Sequence, residues 1–233
     1  RGKDGSGREP ARIKFSEVYG WAAASGIGIS AWLTRIPAIS ERLELGPAAM
    51  GALLLTQTIA AFASVSTSGM TVMRLGAKRS IAVTASMVVM GMILIGVGVS
   101  VFGSVLVTAV GMLLFGLGSA TWNVASNVEG TALETAMGRS IMPLMHAFFS
   151  IGTVTGAVVG SIATAGGVAV VWHVGAMALV MGLLVDLGQL LVSRASSHED
   201  ELDTKWRQAR TSWHPLSTPA SVPLSPCLTV MTF

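Results

Sequence analysis

Charge is what this sequence has least of. Asp, Glu, Lys and Arg make up 12% of its 233 residues, about half the share of a soluble domain. Three runs, 45–73, 80–128 and 140–185, contain none of the four. That excludes an ordinary water-soluble domain, whose surface those residues would have to cover. The one cysteine, Cys227, lies in a polar tail, so no intrachain disulfide is possible and the redox compartment stays open. Cys227 and the four histidines (His146, His173, His198, His214) do not cluster at metal-ligand spacing. H-E-x-x-H, G-x-x-x-x-G-K-[ST] and G-x-S-x-G are all missing. Neither an enzyme nor a resident metal or cofactor is expected. No Asn-Pro dipeptide occurs, which argues against an aquaporin-like channel. The first residue is Arg1 rather than Met, and the first apolar segment is followed by others. A cleaved signal peptide is therefore not expected, and a fragment or processed chain is.

What is present is apolar. Hydrophobic residues reach 52%, and ~20 of them in a helix cross a ~30 Å hydrocarbon layer. Together with an apolar first segment, the runs give six spans, at about 15–33, 47–68, 80–99, 105–125, 143–166 and 168–192. Between the second and third lies the basic loop 69–79, with Arg74, Lys78 and Arg79. A second polar loop covers 129–140, and Pro143 suits the first turn of the fifth span. Trp21 and Trp32 are expected near the two membrane interfaces. The expected fold is an all-α membrane protein with a tail at 1–14, a six-helix domain at 15–193 and a polar tail at 194–233. The last tail, rich in Ser, Thr and Pro, lacks the composition of a core and is expected to be disordered. A shifted reading frame would produce the same abrupt change.

All but two of the 15 Lys and Arg fall in segments on one side of this six-span scheme; the exceptions are Arg35 and Arg42. The positive-inside bias places that side, and both termini, in the cytoplasm, with the chain multi-pass in the inner membrane. The net charge of +3 is explained by these connectors, so nucleic acid is not an expected partner. The segment Gly26-Ile27-Gly28-Ile29-Ser30-Ala31-Trp32 parallels Gly116-Leu117-Gly118-Ser119-Ala120-Thr121-Trp122 at an offset of 90 residues. An odd number of spans separates the copies, so they run in opposite directions. This is the pattern of two inverted three-helix repeats.

The loop after the second span resembles the major facilitator superfamily (MFS) signature, in outline G-x-x-x-D-R-x-G-x-R-R. Gly69, Arg74, Gly76, Lys78 and Arg79 match in register, with Lys78 in place of an Arg and Met73 in place of the Asp. The stretch 123–160 is similar to bacterial members near the fucose-permease branch, through Asn127, Glu134, Gly138, Arg139, Met142, Pro143, His146, Ser150 and Gly152. The resemblance covers about 15–193 and implies the N-terminal half of a twelve-span transporter. It further implies that the basic loop forms part of a cytoplasmic gate, and that the first and fourth spans line a central cavity. The acid that helps hold that gate in the family is not available at Met73.

Several residues are candidates for function, each beside a plainer role. Ser119, Asn123 and Asn127 recur at four-residue spacing on the fourth span, with Trp122, Ser126 and Glu129 on an adjacent face. Polar groups in lipid need a cavity or a partner helix, and interhelical hydrogen bonding serves equally for Asn123 and Asn127. Ser25, Gly28, Trp32 and Arg35 share a face of the first span; Arg35 either attracts substrate at the outer mouth or snorkels to the interface. Gln57 sits mid-span. Glu129, His146 and Asp186 are the proton-coupling candidates, against the readings of a solvated helix end, an interhelical partner and an interfacial acid. Gly152, Gly156 and Gly160 make a smooth packing stripe.

The expected function is secondary active transport of a small polar solute, a sugar by the branch resemblance, driven by protons. The expected partners are the lipid bilayer, the solute, and a second six-span half from another copy or another chain. The alternative is a non-transporting membrane scaffold or sensor acting through its tail. Reporter fusions test the topology: fusions at Lys78 should read as cytoplasmic and fusions at Glu44 as periplasmic, and the reverse result would remove the six-span scheme.

Overall fold

A computed structural model describes residues 9–186. The expected polar tail from 194, and the last residues of the sixth span, lie outside the described residues. The chain forms α1 (Glu9–Leu33), a short α2 (Ile36–Arg42), α3 (Pro47–Leu75), α4 (Ala77–Val97), α5 (Val105–Met137), α6 (Met142–Ala165) and α7 (Val170–Asp186). Among the described residues there is no strand. Helices α3, α5, α6 and α4 with its terminal π-type turn, Gly98–Phe102, are long and apolar enough to cross a membrane. Helix α7 is apolar but shorter over its described part. Helix α1 is less apolar, but it runs alongside α6 from Ala23 against Gly152 to Thr34 against Gly160, and so traverses the same layer.

Helix ends sit where local chemistry puts them. Pro47 and Pro143 lie in the first turns of α3 and α6, where a missing N–H leaves nothing unpaired. Ser104 caps α5, its Oγ accepting from the Val107 N–H at 3.4 Å. The basic connector is tighter than the sequence implies. Helix α3 continues to Leu75 and α4 begins at Ala77, leaving Gly76 alone at φ +80°. Likewise α5 continues to Met137, so most of the expected loop 129–140 is helical. Neither extension contains a proline, so nothing in them stops the helix: helices project beyond the apolar layer, while hydropathy marks only where the layer ends.

In chain order the helices form two triplets, α1-α3-α4 and α5-α6-α7, which pack mainly against each other, and the glycines show how. A Cβ on Gly26 of α1 would collide with the backbone of α6 at Phe149 and Thr153; one on Gly116 of α5 would collide with α3 at Gln57 and Ala60. A Cβ on Gly28 would meet Met181 of α7 at 2.5 Å, and one on Gly118 would meet the Thr84 carbonyl of α4 at 2.7 Å. Each triplet's first helix thus touches the second and third helices of the other, at positions 90 residues apart in the chain (26 to 116, 28 to 118). That is the inverted repeat read from the sequence, expressed as contacts.

The α1–α6 seam is lined by Gly152, Gly156 and Gly160, facing Ala23, Ile27 with Ser30, and Thr34. The α3–α5 seam uses hydroxyls instead: Ser64 Oγ donates to the Leu117 carbonyl at 2.5 Å and lies 2.6 Å from Thr121 Oγ1. Lipid offers no hydrophobic drive between helices, so close packing and such bonds, ~0.6 kcal/mol each, hold them.

Trp21 and Trp32 are not at the interfaces as expected. They are 0% and 1% exposed, and Trp32 meets Phe115 edge-on at 5.8 Å between ring centres. Both are part of the bundle's apolar core, where large side chains fill the space between helices.

The seam predicts a graded response to one methyl group. Gly152→Ala places a Cβ against the Ala23 carbonyl and should lower stability by about 1–3 kcal/mol. Gly51→Ala, which meets nothing within 4 Å, should be neutral or stabilising. Thermal unfolding of the two variants in detergent checks this, and equal midpoints would contradict it.

Candidate functional site

Most polar side chains in the described helices bond to their own helix's carbonyls, as Thr58, Ser66 and Thr155 do. A minority converge instead. Between α1, α5 and α6 lies a cavity of about 260 Å³ lined by Ser25, Asn123, Ser126, Asn127 and His146, with Trp21, Met145 and Phe149 as its apolar walls. The Trp21 indole N–H and the Ser126 hydroxyl are buried there with no partner among the described residues. Asn127 Nδ2 donates to Asn123 Oδ1 at 3.1 Å, one i to i+4 turn along α5. This bond leaves the Asn123 amide N–H groups and the Asn127 carbonyl oxygen free to meet a ligand.

The chemistry of this lining is specific. It offers amide, hydroxyl and indole groups, one imidazole, and neither a carboxylate nor a fixed cation. Such a set suits a neutral, hydroxyl-bearing molecule and gives an ion no opposite charge.

The other sequence-derived candidates are dispersed. Trp32 and Trp122 lie in the core, 1% exposed, rather than on the cavity. Gln57 is half-buried on α3, beside Gly116. Arg35 is buried and bonds to Thr164 and Val168 at the end of the bundle. Glu129 is half-buried two turns before the end of α5, and Asp186 is exposed at the end of the described part of α7. His146 is exposed and reaches the cavity rim. Gly152, Gly156 and Gly160 are packing positions, as described above.

The connectors have their own construction. Arg74 occupies the last turn of α3, where the helix dipole favours a cation. Lys78 and Arg79 fall in the first turn of α4, where it does not. Ser80 Oγ donates to the Gly76 carbonyl at 2.8 Å and ties the turn. Met73, standing where the signature has an acid, is exposed. Gly69 has open space around it. In the other connector at this end, Glu134 Oε2 accepts from the N–H groups of Ile141 at 3.0 Å and Met142 at 3.1 Å. Glu134 thereby caps α6 and sets the turn through Gly138, Arg139 and Ser140.

Sequence reasoning missed Trp21 and Ser126 as lining residues. Ser126 lies on the polar face of the fourth span, so its signal was available. Trp21 carried none, because a tryptophan near a span's end reads as an interfacial anchor. His173 was missed for the same reason as any lone histidine: its neighbours come from elements distant in sequence.

No family model and no solved structure matches the chain. Curated relatives do. The chain is 31% identical over 140 residues to an uncharacterized transporter of Sinorhizobium fredii, covering 60% of this chain and 36% of that protein. It is 27% identical over 133 residues to an uncharacterized MFS-type transporter of Yersinia pestis, covering 57% and 34%. The chain thus spans about a third of the length of the curated relatives it matches, and its likeness to MFS transporters extends well beyond the signature loop.

The Glu134 cap yields a local prediction. Glu134→Ala should speed amide hydrogen exchange at Ile141 and Met142 while leaving exchange in the middle of α6 unchanged. Unaltered exchange at those two amides would show that the carboxylate does not hold the turn.

Proposed function

We propose that this chain, a relative of MFS-type transporters, is the N-terminal six-span half of a secondary active transporter for a small neutral, hydroxyl-bearing solute of the sugar class. The observation that carries the reading is the cavity between α1, α5 and α6. In a chain of overwhelmingly apolar helices it gathers two serines, two asparagines and a histidine, with indole and hydroxyl groups left unpaired. Relatives named as transporters, not enzymes, support the same reading.

The geometry supplies the remaining parts of the proposal. Helices α3 and α6 are equivalent under the inverted repeat and are the least covered of the long helices. They expose Leu55, Ile59 and Phe62 on one, and Ile151, Val154 and Ile162 on the other. A second six-span half from another copy or another chain would cover these faces and close the solute cavity from the far side. Among the described residues His146 is the one ionisable side chain on the cavity lining, and an imidazole can both give and take a proton, so it is the proton-coupling residue of this proposal. The basic connector, with 69–79 on the cytoplasmic side of the inner membrane, serves as the gate hinge through the single residue Gly76.

Vesicles provide the test. The full chain would be reconstituted with the remaining segment of the Yersinia pestis relative as second half, and labelled sugars offered under a proton gradient. Uptake of at least one sugar is expected. Asn123→Ala and Asn127→Ala should each lower uptake about tenfold, the effect of ~1.4 kcal/mol, without changing the unfolding midpoint. His146→Gln should abolish proton-driven accumulation while sparing counterflow exchange. Absence of flux for every sugar, or full uptake in both asparagine variants, would contradict the reading.

A further inference from the structure

The opposite end of the bundle, away from the basic connector, holds a second group of unsatisfied polar atoms. Arg35, between α1 and α2, is 3% exposed. Its Nη1 donates to Thr164 Oγ1 at 2.9 Å and its Nη2 to the Val168 carbonyl. Both acceptors are neutral, and Thr164 spends its own hydroxyl proton on the Gly160 carbonyl at 2.8 Å. The Arg35 Nε–H is buried with no partner among the described residues. His173, in the first turn of α7, is 4% exposed, and both of its ring nitrogens are likewise buried and unpartnered. Val170, one turn before His173 on α7, borders the same space as Arg35. A chamber of about 620 Å³ opens beside Arg35, with Ser100, Thr164 and Val168 in its wall.

Electrostatics decides what such a place accommodates. Burial lowers the pKa of the Arg35 guanidinium, yet arginine stays charged in proteins. A buried charge that lacks a counter-charge is strongly unfavourable, and neutral carbonyl and hydroxyl oxygens answer its hydrogen bonds without answering its charge. Glu41, Arg42 and Glu44 also border the chamber, but they are exposed, and water and salt screen them. A water molecule would satisfy the loose N–H groups but not the charge. An anion satisfies both, with the His173 ring contributing an N–H of its own.

We propose that Arg35 and His173 form a buried site for a small monovalent anion of chloride or formate size, reached through this chamber. The bound anion joins the two triplets at this end, since Arg35 belongs to the first triplet and Thr164, Val168 and His173 belong to the second. The site does not depend on what the cavity between α1, α5 and α6 carries.

The full chain, purified in detergent, provides the test. Chloride would be exchanged for isethionate at constant ionic strength, reading thermal unfolding and the chloride-35 resonance linewidth. A saturable rise in the unfolding midpoint is expected, with excess line broadening that formate competes away. Arg35→Gln should lose both effects. His173→Phe, which keeps the charge and fills the space, should raise the half-saturating chloride concentration about tenfold, the effect of one lost charge-assisted bond. Should Arg35→Gln fail to fold, His173→Phe decides alone, and an unchanged chloride dependence in it overturns the site. Equal effects of chloride and isethionate, or no excess broadening in the unmodified chain, overturn it as well.

Discussion

Everything in this fold depends on backbones approaching one another where side chains would forbid it. In lipid, apolar residues gain nothing by leaving tails for a neighbouring helix, so association rests on close packing and on polar groups finding partners. Gly26 and Gly28 on α1, and Gly116 and Gly118 on α5, each sit where a Cβ would strike a partner helix. These four positions let α1 and α5 serve as the inner helices of both triplets. The outer helices then splay around them, and the large residues Trp21, Trp32, Trp122 and Phe115 fill the space within.

That arrangement also explains where polar groups collect. Helices α1 and α5, which touch many neighbours, carry the cavity's polar groups: Ser25 and Ser126 are buried there, Asn127 is half-buried and Asn123 is exposed. Helices α3 and α6, more exposed, carry large apolar residues outward and satisfy outward hydroxyls such as Ser66 and Thr155 on their own carbonyls. Ser100 shows the same economy at the bundle end. Its Oγ accepts the Val171 N–H at 3.0 Å, so the last turn of one triplet's third helix caps the other's. The two asparagines line the open side of the cavity and Trp21 its buried side, and the proposed transport function rests on that pairing.

Much of this was legible in the residues. The uncharged runs gave the helices, because length and hydropathy alone decide what can cross a bilayer. The Gly-x-Gly-x-x-x-Trp parallel gave the inverted repeat, because the same small residues are needed at equivalent contacts. What sequence could not give was how far a helix extends past the apolar layer, as α3 to Leu75 and α5 to Met137 do. It also misplaced the tryptophans: an aromatic near a span's end reads as interfacial, and only residues of other helices, such as Phe115 against Trp32, turn it into core. The cavity face was half legible. Asn123 and Asn127 announced themselves by spacing, whereas Arg35 and His173 meet only through packing of segments far apart in the chain.

The central claim is that the two helix seams, α1 with α6 and α3 with α5, are equivalent and simultaneous. Disulfide trapping reads both in one membrane preparation. In a background with Cys227 replaced by serine, Ser64→Cys with Thr121→Cys tests the α3–α5 seam, where the native oxygens lie 2.6 Å apart. Thr34→Cys with Gly160→Cys tests the α1–α6 seam, where a Cβ on Gly160 would lie against Thr34. Mild oxidation should close an intramolecular disulfide in each pair, since both bring Cβ atoms within bonding reach. Failure of either pair to close, or closure only between separate chains, would contradict the account.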